Sequence, residues 1–253
     1  MDRTEQLRVA EHFHSLQGEG STSGKPSIFL RLSMCNLMCG GIGTEKDKQL
    51  HNGATWRCDT IEVWRQGENK TVEQVVDLLV QEYGKYLIKG SQLVITGGEP
   101  LLQQKQIQSL LKHLQEYSTV PRIEIETNGT IPPDTEIIDL VDQFNVSPKL
   151  LNSGMPEIKR INPQALNTLV EQAKCGKAIF KFVVTSVDDP YEIVTDYIEP
   201  YGIPEDKIWI MPGCSNREQY EKVAPIAAFV AQEYGFNFSS RLQINLWNEV
   251  TGV

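Results

Sequence analysis

The stretch from Ser27 to Cys39, SIFLRLSMCNLMC, carries two signals in succession. Ile28, Leu30 and Leu32 alternate with Phe29, Arg31 and Ser33, the two-residue period of a β-strand. Two thiols, Cys35 and Cys39, follow where that strand ends. In parallel α/β folds the C-terminal strand ends carry the chemistry. A strand that runs directly into paired thiols therefore suits such a sheet.

The same rhythm holds on both sides. Arg8 to Phe13 reads as an earlier strand. Thr71 can cap a helix in which Val72, Val75, Val76, Leu79, Val80 and Tyr83 recur at three and four. Leu93 to Thr96, Arg122 to Glu126, Phe144 to Ser147, Ile179 to Thr185 and Ile208 to Met211 are short β-rich runs. Between them lie a stripe of Ile107, Leu110, Leu111 and Leu114, and a helix opened by Asn162-Pro163. Arg217 to Tyr234 is helical in pattern, and Leu242 to Leu246 reads as a last strand. Strands alternating with helices imply an α/β fold, a parallel sheet covered by helices. Residues 1–253 read as one domain. The polar, non-periodic segment 40–57 reads as a loop insertion.

Composition narrows the function. A formal charge of −9 disfavours direct contact with nucleic acid. No apolar run is long enough to span a membrane, and MDRTEQLRVAEHF lacks a signal core, so a cytoplasmic protein is expected. Five cysteines, an odd number, favour metal binding or catalysis over disulfides in a reducing compartment. Three residues separate Cys35 from Cys39, and eighteen separate Cys39 from Cys58. Three thiolates on a four-iron cluster would leave one iron open to a small chelate. On spacing alone, Cys35, Cys39, Cys58 and His51 could equally form a structural zinc site.

Other motifs close strands. In TGGEP, Thr96 to Pro100, two glycines let backbone approach a ligand, and Glu99 can accept from an ammonium group. In ETNG, Glu126 and Asn128 offer an acceptor and a donor to ribose hydroxyls, unless Asn128-Gly129 only makes the bend. Arg31, mid-strand among apolar residues, needs an anionic partner, either a bound carboxylate or one from the protein. Asp59-Thr60 can cap a helix.

LQGEG (Leu16 to Gly20), RLSMCNLMC (Arg31 to Cys39), CDT (Cys58 to Thr60), TGGEP, ETNG and VSPK (Val146 to Lys149) occur in that order. Together they resemble the 7-carboxy-7-deazaguanine synthase family of radical S-adenosylmethionine enzymes. The superfamily usually carries Cys-x-x-x-Cys-x-x-Cys, so Cys58 is read as the third ligand, displaced by the insertion. The resemblance implies an incomplete parallel (β/α) barrel and a 4Fe-4S cluster on Cys35, Cys39 and Cys58. S-adenosylmethionine would be contacted by Gly98, Glu99, Glu126, Asn128, Ser147, Pro148, Lys149, Met211, Pro212, Gly213 and Cys214. It further implies a pterin substrate held by Leu16, Gln17, Gly18, Glu19, Arg31 and Thr96, with Arg31 on its carboxylate. Mg2+ would sit at Thr60. An external electron donor such as a flavodoxin or ferredoxin and a homodimer follow from the same likeness. Two alternatives stay open at this point, a glycyl-radical-activating enzyme and a zinc-stabilised binding module without catalysis.

Overall fold

The computed structural model describes residues 6–41, 49–117, 120–250 and 252. Nine strands form one sheet: β1 (Gln6–Leu16), β2 (Pro26–Leu32), β3 (Glu68–Thr71), β4 (Gln92–Gly97), β5 (Ile123–Thr127), β6 (Gln143–Val146), β7 (Ala178–Val184), β8 (Ile208–Pro212) and β9 (Asn237–Phe238). Their order is β3-β1-β2-β4-β5-β6-β7-β8-β9. From β2 to β9 every pair is parallel, whereas β1 is antiparallel to both β2 and β3. The sheet does not close, because β3 and β9 stand at its two edges. This is the incomplete parallel barrel that the resemblance implies, with an antiparallel hairpin added in front.

Alternation along the strands separates two faces. Leu30, Ile95, Ile125, Phe144, Phe180 and Ile210 are fully buried and pack with Leu79, Leu110, Leu166 and Ala227 from the covering helices. Each of the leucine, isoleucine and phenylalanine side chains contributes roughly 1.5–3 kcal/mol by leaving water. The intervening residues face the other way: Arg31, Thr96, Glu126, Asn145 and Lys181 all line one cavity on the opposite face. Register carries this polar row from strand to strand, pairing Arg31 with Thr96 and Glu126 with Asn145. Five strands bordering a single cavity show that the sheet curves around it.

Local signals place the helices. Thr71 accepts from the Gln74 backbone N–H and receives Gln74 in return, a full capping box for the helix Val72–Ile88. Asn162 accepts from the N–H groups of Gln164 and Ala165, with Pro163 in the first turn of Pro163–Lys174. Asn216 caps Arg217–Tyr234 by accepting from Gln219 N–H. One expectation fails. Leu242–Trp247 is a helix, not the last strand. The edge beside β8 is taken by β9, through Trp209 opposite Asn237 and Ile210 opposite Phe238. The chain beyond it turns inward instead, where Leu242 N–H donates to the Gly18 carbonyl at 3.0 Å. Among the described residues no helix is long and apolar enough to cross a membrane.

Candidate active site

The cysteines lie where β2 stops. Met34 adopts a left-handed conformation with φ of 75°, which turns the chain sharply before Cys35. The turn is pinned from both sides: Met34 N–H donates to the Trp64 carbonyl at 2.9 Å, and Glu99 N–H donates to the Met34 carbonyl at 2.8 Å. The eighteen-residue excursion then returns to its origin. Cys58 N–H donates to the Cys39 carbonyl at 3.2 Å. Gly40 and Thr55 donate to the Ser153 and Asn152 carbonyls, both at 2.9 Å, so one loop holds both arms of the insertion. Residues 42–48, within the expected insertion, lie outside the described residues.

Cys35, Cys39 and Cys58 line the same cavity, of about 1150 Å³. Burial pushes the Cys35 thiol up to about 11 and that of Cys39 up to about 12. Thiols so desolvated become thiolates when a metal supplies the opposing charge. Three thiols lining one cavity suit the separate corners of an iron–sulfur cluster, whereas among the described residues no three such side chains stand close enough to share a single metal ion. His51 does not join them; its ring packs against Gly41 and borders a separate cleft with Asn52, Met155 and Lys159. That placement separates the donors of the zinc alternative.

The wall behind the cysteines is built by TGGEP and ETNG. A Cβ on Gly98 would overlap the Met34 carbonyl oxygen and stand 2.6 Å from Cys35 Cβ, so only glycine lets β4 pass this close. Glu99 is completely buried and does not line the cavity. It accepts from Leu101 N–H at 2.9 Å, Asn128 N–H at 2.7 Å and the Thr127 hydroxyl at 2.9 and 3.0 Å. Burial raises its carboxyl to about 7, against those hydrogen bonds. The Asn128 amide donates to Asn36 Oδ1 at 2.9 Å and approaches Cys35 Sγ at 3.9 Å. Both residues therefore brace the cysteine loop.

The cavity floor is charged. Lys181, its side chain only 3% exposed, bridges Glu19 Oε2 at 3.1 Å and Glu126 Oε1 at 3.5 Å. Burial alone would lower the Lys181 ammonium and raise the Glu19 carboxyl, but the opposite charges prevail. They keep Lys181 protonated far above its ordinary range, and Lys181 and Arg241 hold Glu19 at about 2. Glu126 also accepts from Thr96 Oγ1 at 2.9 Å and Gln17 Nε2 at 3.3 Å. Arg31 donates through Nε to Glu11 Oε1 at 2.7 Å. A protein carboxylate thus satisfies one edge of Arg31, while the residue still borders the cavity.

The cavity gathers Leu16, Gln17, Gly18, Glu19, Arg31, Thr60, Thr96, Gly98, Glu126, Asn128, Ser147, Lys149, Met211, Gly213 and Cys214 with the three cysteines. Glu99, Pro148 and Pro212 are not in its lining. Among the lining residues missed from sequence are Lys181, Arg241 and Trp56. Lys181 interrupts the apolar run AIFKFVV, and a lysine at that spot demands a buried partner. Arg241 precedes the final helix with no motif around it. Trp56 donates from Nε1 to Asn152 Oδ1 at 2.8 Å and carries the Lys149 ammonium 5.7 Å from its ring centroid. It sits at the end of the insertion, where a lone tryptophan was the available signal.

Residues 16–153 match the family described as 4Fe-4S single cluster domain. The 7-carboxy-7-deazaguanine synthase of Pyrobaculum aerophilum is 33% identical over 253 residues, covering 100% of both chains. That of Hyperthermus butylicus is 33% identical over 94% of this chain and 92% of its own. That of Rhodopirellula baltica is 30% identical over 97% and 88% respectively. The crystal structure of QueE from Escherichia coli shares the fold, with a TM-score of 0.60, 20% identity and 94% of each chain covered. With three cavity-facing cysteines and this likeness over its full length, the chain belongs to the 7-carboxy-7-deazaguanine synthase family.

Proposed function

We propose that this chain converts 6-carboxy-5,6,7,8-tetrahydropterin to 7-carboxy-7-deazaguanine with loss of ammonia, as a radical S-adenosylmethionine enzyme of 7-deazapurine biosynthesis. One observation carries the reading: three cysteines and a charged, hydrogen-bonding floor share one cavity in a chain of this family. About 1150 Å³ is ample for two small molecules side by side.

Cys35, Cys39 and Cys58 would hold the 4Fe-4S cluster, leaving an iron for S-adenosylmethionine. Bound there with an external electron, cluster and S-adenosylmethionine would supply one-electron cleavage chemistry able to take hydrogen from C6 of the pterin. The protein's part is to bind, orient and exclude water. Gly98 would let the cofactor approach the backbone, and Glu126, Ser147 and Lys149, which line the same cavity, would offer it polar contacts. Asn128, also in the lining, would contact the cofactor while bracing Asn36 and Cys35. Met211, Gly213 and Cys214 line the same cavity. Glu99 acts as a brace rather than a contact, and Pro148 and Pro212 shape the backbone of their segments.

On the substrate side, Leu16, Gln17, Gly18 and Glu19 present amides, a side-chain amide and a carboxylate to the pterin edge. Lys181 and Arg241 keep Glu19 ionised, so it remains an acceptor for ring N–H groups at neutral pH. Arg31 and Thr96, opposite each other on β2 and β4, would take the substrate carboxylate and a ring atom. Mg2+ would bind through Thr60 Oγ1, which lies 3.5 Å from Cys58 Sγ, with substrate and water oxygens completing its shell.

The family resemblance also supports a flavodoxin or ferredoxin as external donor, a cytoplasmic homodimer, and one domain over residues 1–253 with an insertion at 40–57. A floor of paired charges suits a small molecule better than the backbone of a partner protein, which weighs against the glycyl-radical activase. Anaerobic incubation of reconstituted protein with S-adenosylmethionine, reductant and the carboxytetrahydropterin tests the function. 7-Carboxy-7-deazaguanine is the expected product. Formation of 5′-deoxyadenosine without it would reject the substrate assignment.

A further inference from the structure

Arg241 stands where three binding segments meet. Its Nε donates to Glu19 Oε1 at 3.1 Å, its Nη1 to the Cys214 carbonyl at 2.6 Å, and its Nη2 to Asp59 Oδ2 at 2.6 Å. Each acceptor belongs to a different part of the site. Glu19 lies on the loop assigned to the pterin. Cys214 follows β8 on the cofactor side. Asp59 falls between Cys58 and Thr60, next to a cluster ligand.

The guanidinium is planar, and its N–H groups point in fixed directions. All three bonds persist only while the three segments keep their mutual positions. The side chain is 11% exposed, so water cannot readily replace a lost partner. The residues that follow reinforce the link, since Leu242 N–H donates to the Gly18 carbonyl at 3.0 Å and Gln243 Nε2 to Glu19 Oε1 at 2.8 Å. Any shift of Glu19 would therefore be passed through one planar group to Asp59, the neighbour of Cys58 in sequence. Lys181 has no such reach; its carboxylate partners, Glu19 and Glu126, both lie on the cavity floor.

We propose that Arg241 is a positioning residue that couples the pterin subsite to the cluster and S-adenosylmethionine subsite, so that the two small molecules bind cooperatively. This rests on the function proposed above. Linkage makes such coupling reciprocal and measurable without turnover. Reconstituted protein with its full iron and sulfide, kept free of reductant, is titrated calorimetrically with the carboxytetrahydropterin, with and without saturating S-adenosylmethionine. In the unaltered protein S-adenosylmethionine should tighten pterin binding about 5- to 150-fold, the usual range of coupling between sites. Arg241→Gln and Asp59→Asn should each bring that factor to roughly 2 or less. Asp59 is 41% exposed on its side chain and Asp59→Asn touches one arm only, so this variant decides the matter if Arg241→Gln does not fold. A purely structural staple would lower thermal stability and leave the factor unchanged. An unchanged factor in the variants, or a factor of one in the unaltered protein, overturns the proposal. Unaltered protein that binds no pterin overturns the functional reading itself, and the coupling with it.

Discussion

Lys181→Met keeps the length of the side chain and removes its charge from between two carboxylates. The structure sets the size of the effect. Glu19 titrates at about 2 instead of the usual 4.5, despite a burial that acts the other way. That difference corresponds to roughly 3 kcal/mol of favourable interaction at neutral pH. Arg241 supplies part of it and Lys181 the larger part. Glu126 loses the same cation, so the total falls within the ~3–5 kcal/mol typical of breaking a buried pair. For a chain of this size the midpoint of thermal unfolding should drop on the order of 10 °C. The sign with pH is fixed. Glu19 has a depressed folded value, so its contribution is complete above 4.5 and is lost as pH falls towards 2. Lys181 has a raised folded value, so its contribution is complete below 10.5 and fades only above it. The gap between parent and variant should be level from about pH 5 to 10 and narrow below pH 4. Circular dichroism melts of the metal-free protein at pH 7 and pH 3.5 measure it. A variant that melts with the parent at pH 7, or a gap that survives undiminished at pH 3.5, would show that Lys181 does not hold the two carboxylates.

Three further changes probe the cluster wall. Gly98→Ala places a methyl group against Cys35 and must move backbone by about 1 Å; turnover should fall on the order of 100-fold, with about 1–3 kcal/mol of stability lost, read from product assays and urea unfolding. Glu99→Gln turns one acceptor into a donor facing the N–H of Leu101 or Asn128. Leaving that N–H unpaired should cost about 1–3 kcal/mol, and iron retention should weaken because the Asn128 turn braces Cys35. Cys58→Ala should lower iron and sulfide after anaerobic reconstitution far below four of each per chain, and a normal four-iron spectrum in this variant would remove Cys58 from the ligand set.

Much of the fold was legible because periodicity is strong where burial is one-sided. The run SIFLRLS and the stripe from Val72 to Tyr83 show their buried faces directly. Leu242 to Leu246 misled for a physical reason. Its apolar residues alternate as in a strand, yet the sheet edge was taken by Asn237–Phe238, two residues too few to show any period. Glu68–Thr71 escaped notice likewise, since ENKT is a polar edge strand with no buried face to betray it. In the site, motifs identified the lining, but sequence does not tell a contact from a brace. Glu99 reads as a cofactor contact from its motif, while in the fold its carboxylate accepts from the N–H groups of Leu101 and Asn128. Arg31 found its partner in Glu11, twenty positions earlier, because the antiparallel register places Glu11 opposite Arg31. Arg241 reaches Glu19 and Asp59 across 222 and 182 positions, a distance no local pattern encodes.

In the proposed function one cavity holds the cluster-bound cofactor and the pterin, with hydrogen passing from C6 of the substrate. Its most direct test uses carboxytetrahydropterin carrying deuterium at C6, incubated anaerobically with reconstituted enzyme, S-adenosylmethionine and reductant. Mass spectrometry should find the 5′-deoxyadenosine heavier by one deuterium alongside 7-carboxy-7-deazaguanine. Unlabelled 5′-deoxyadenosine formed in step with that product would contradict the account.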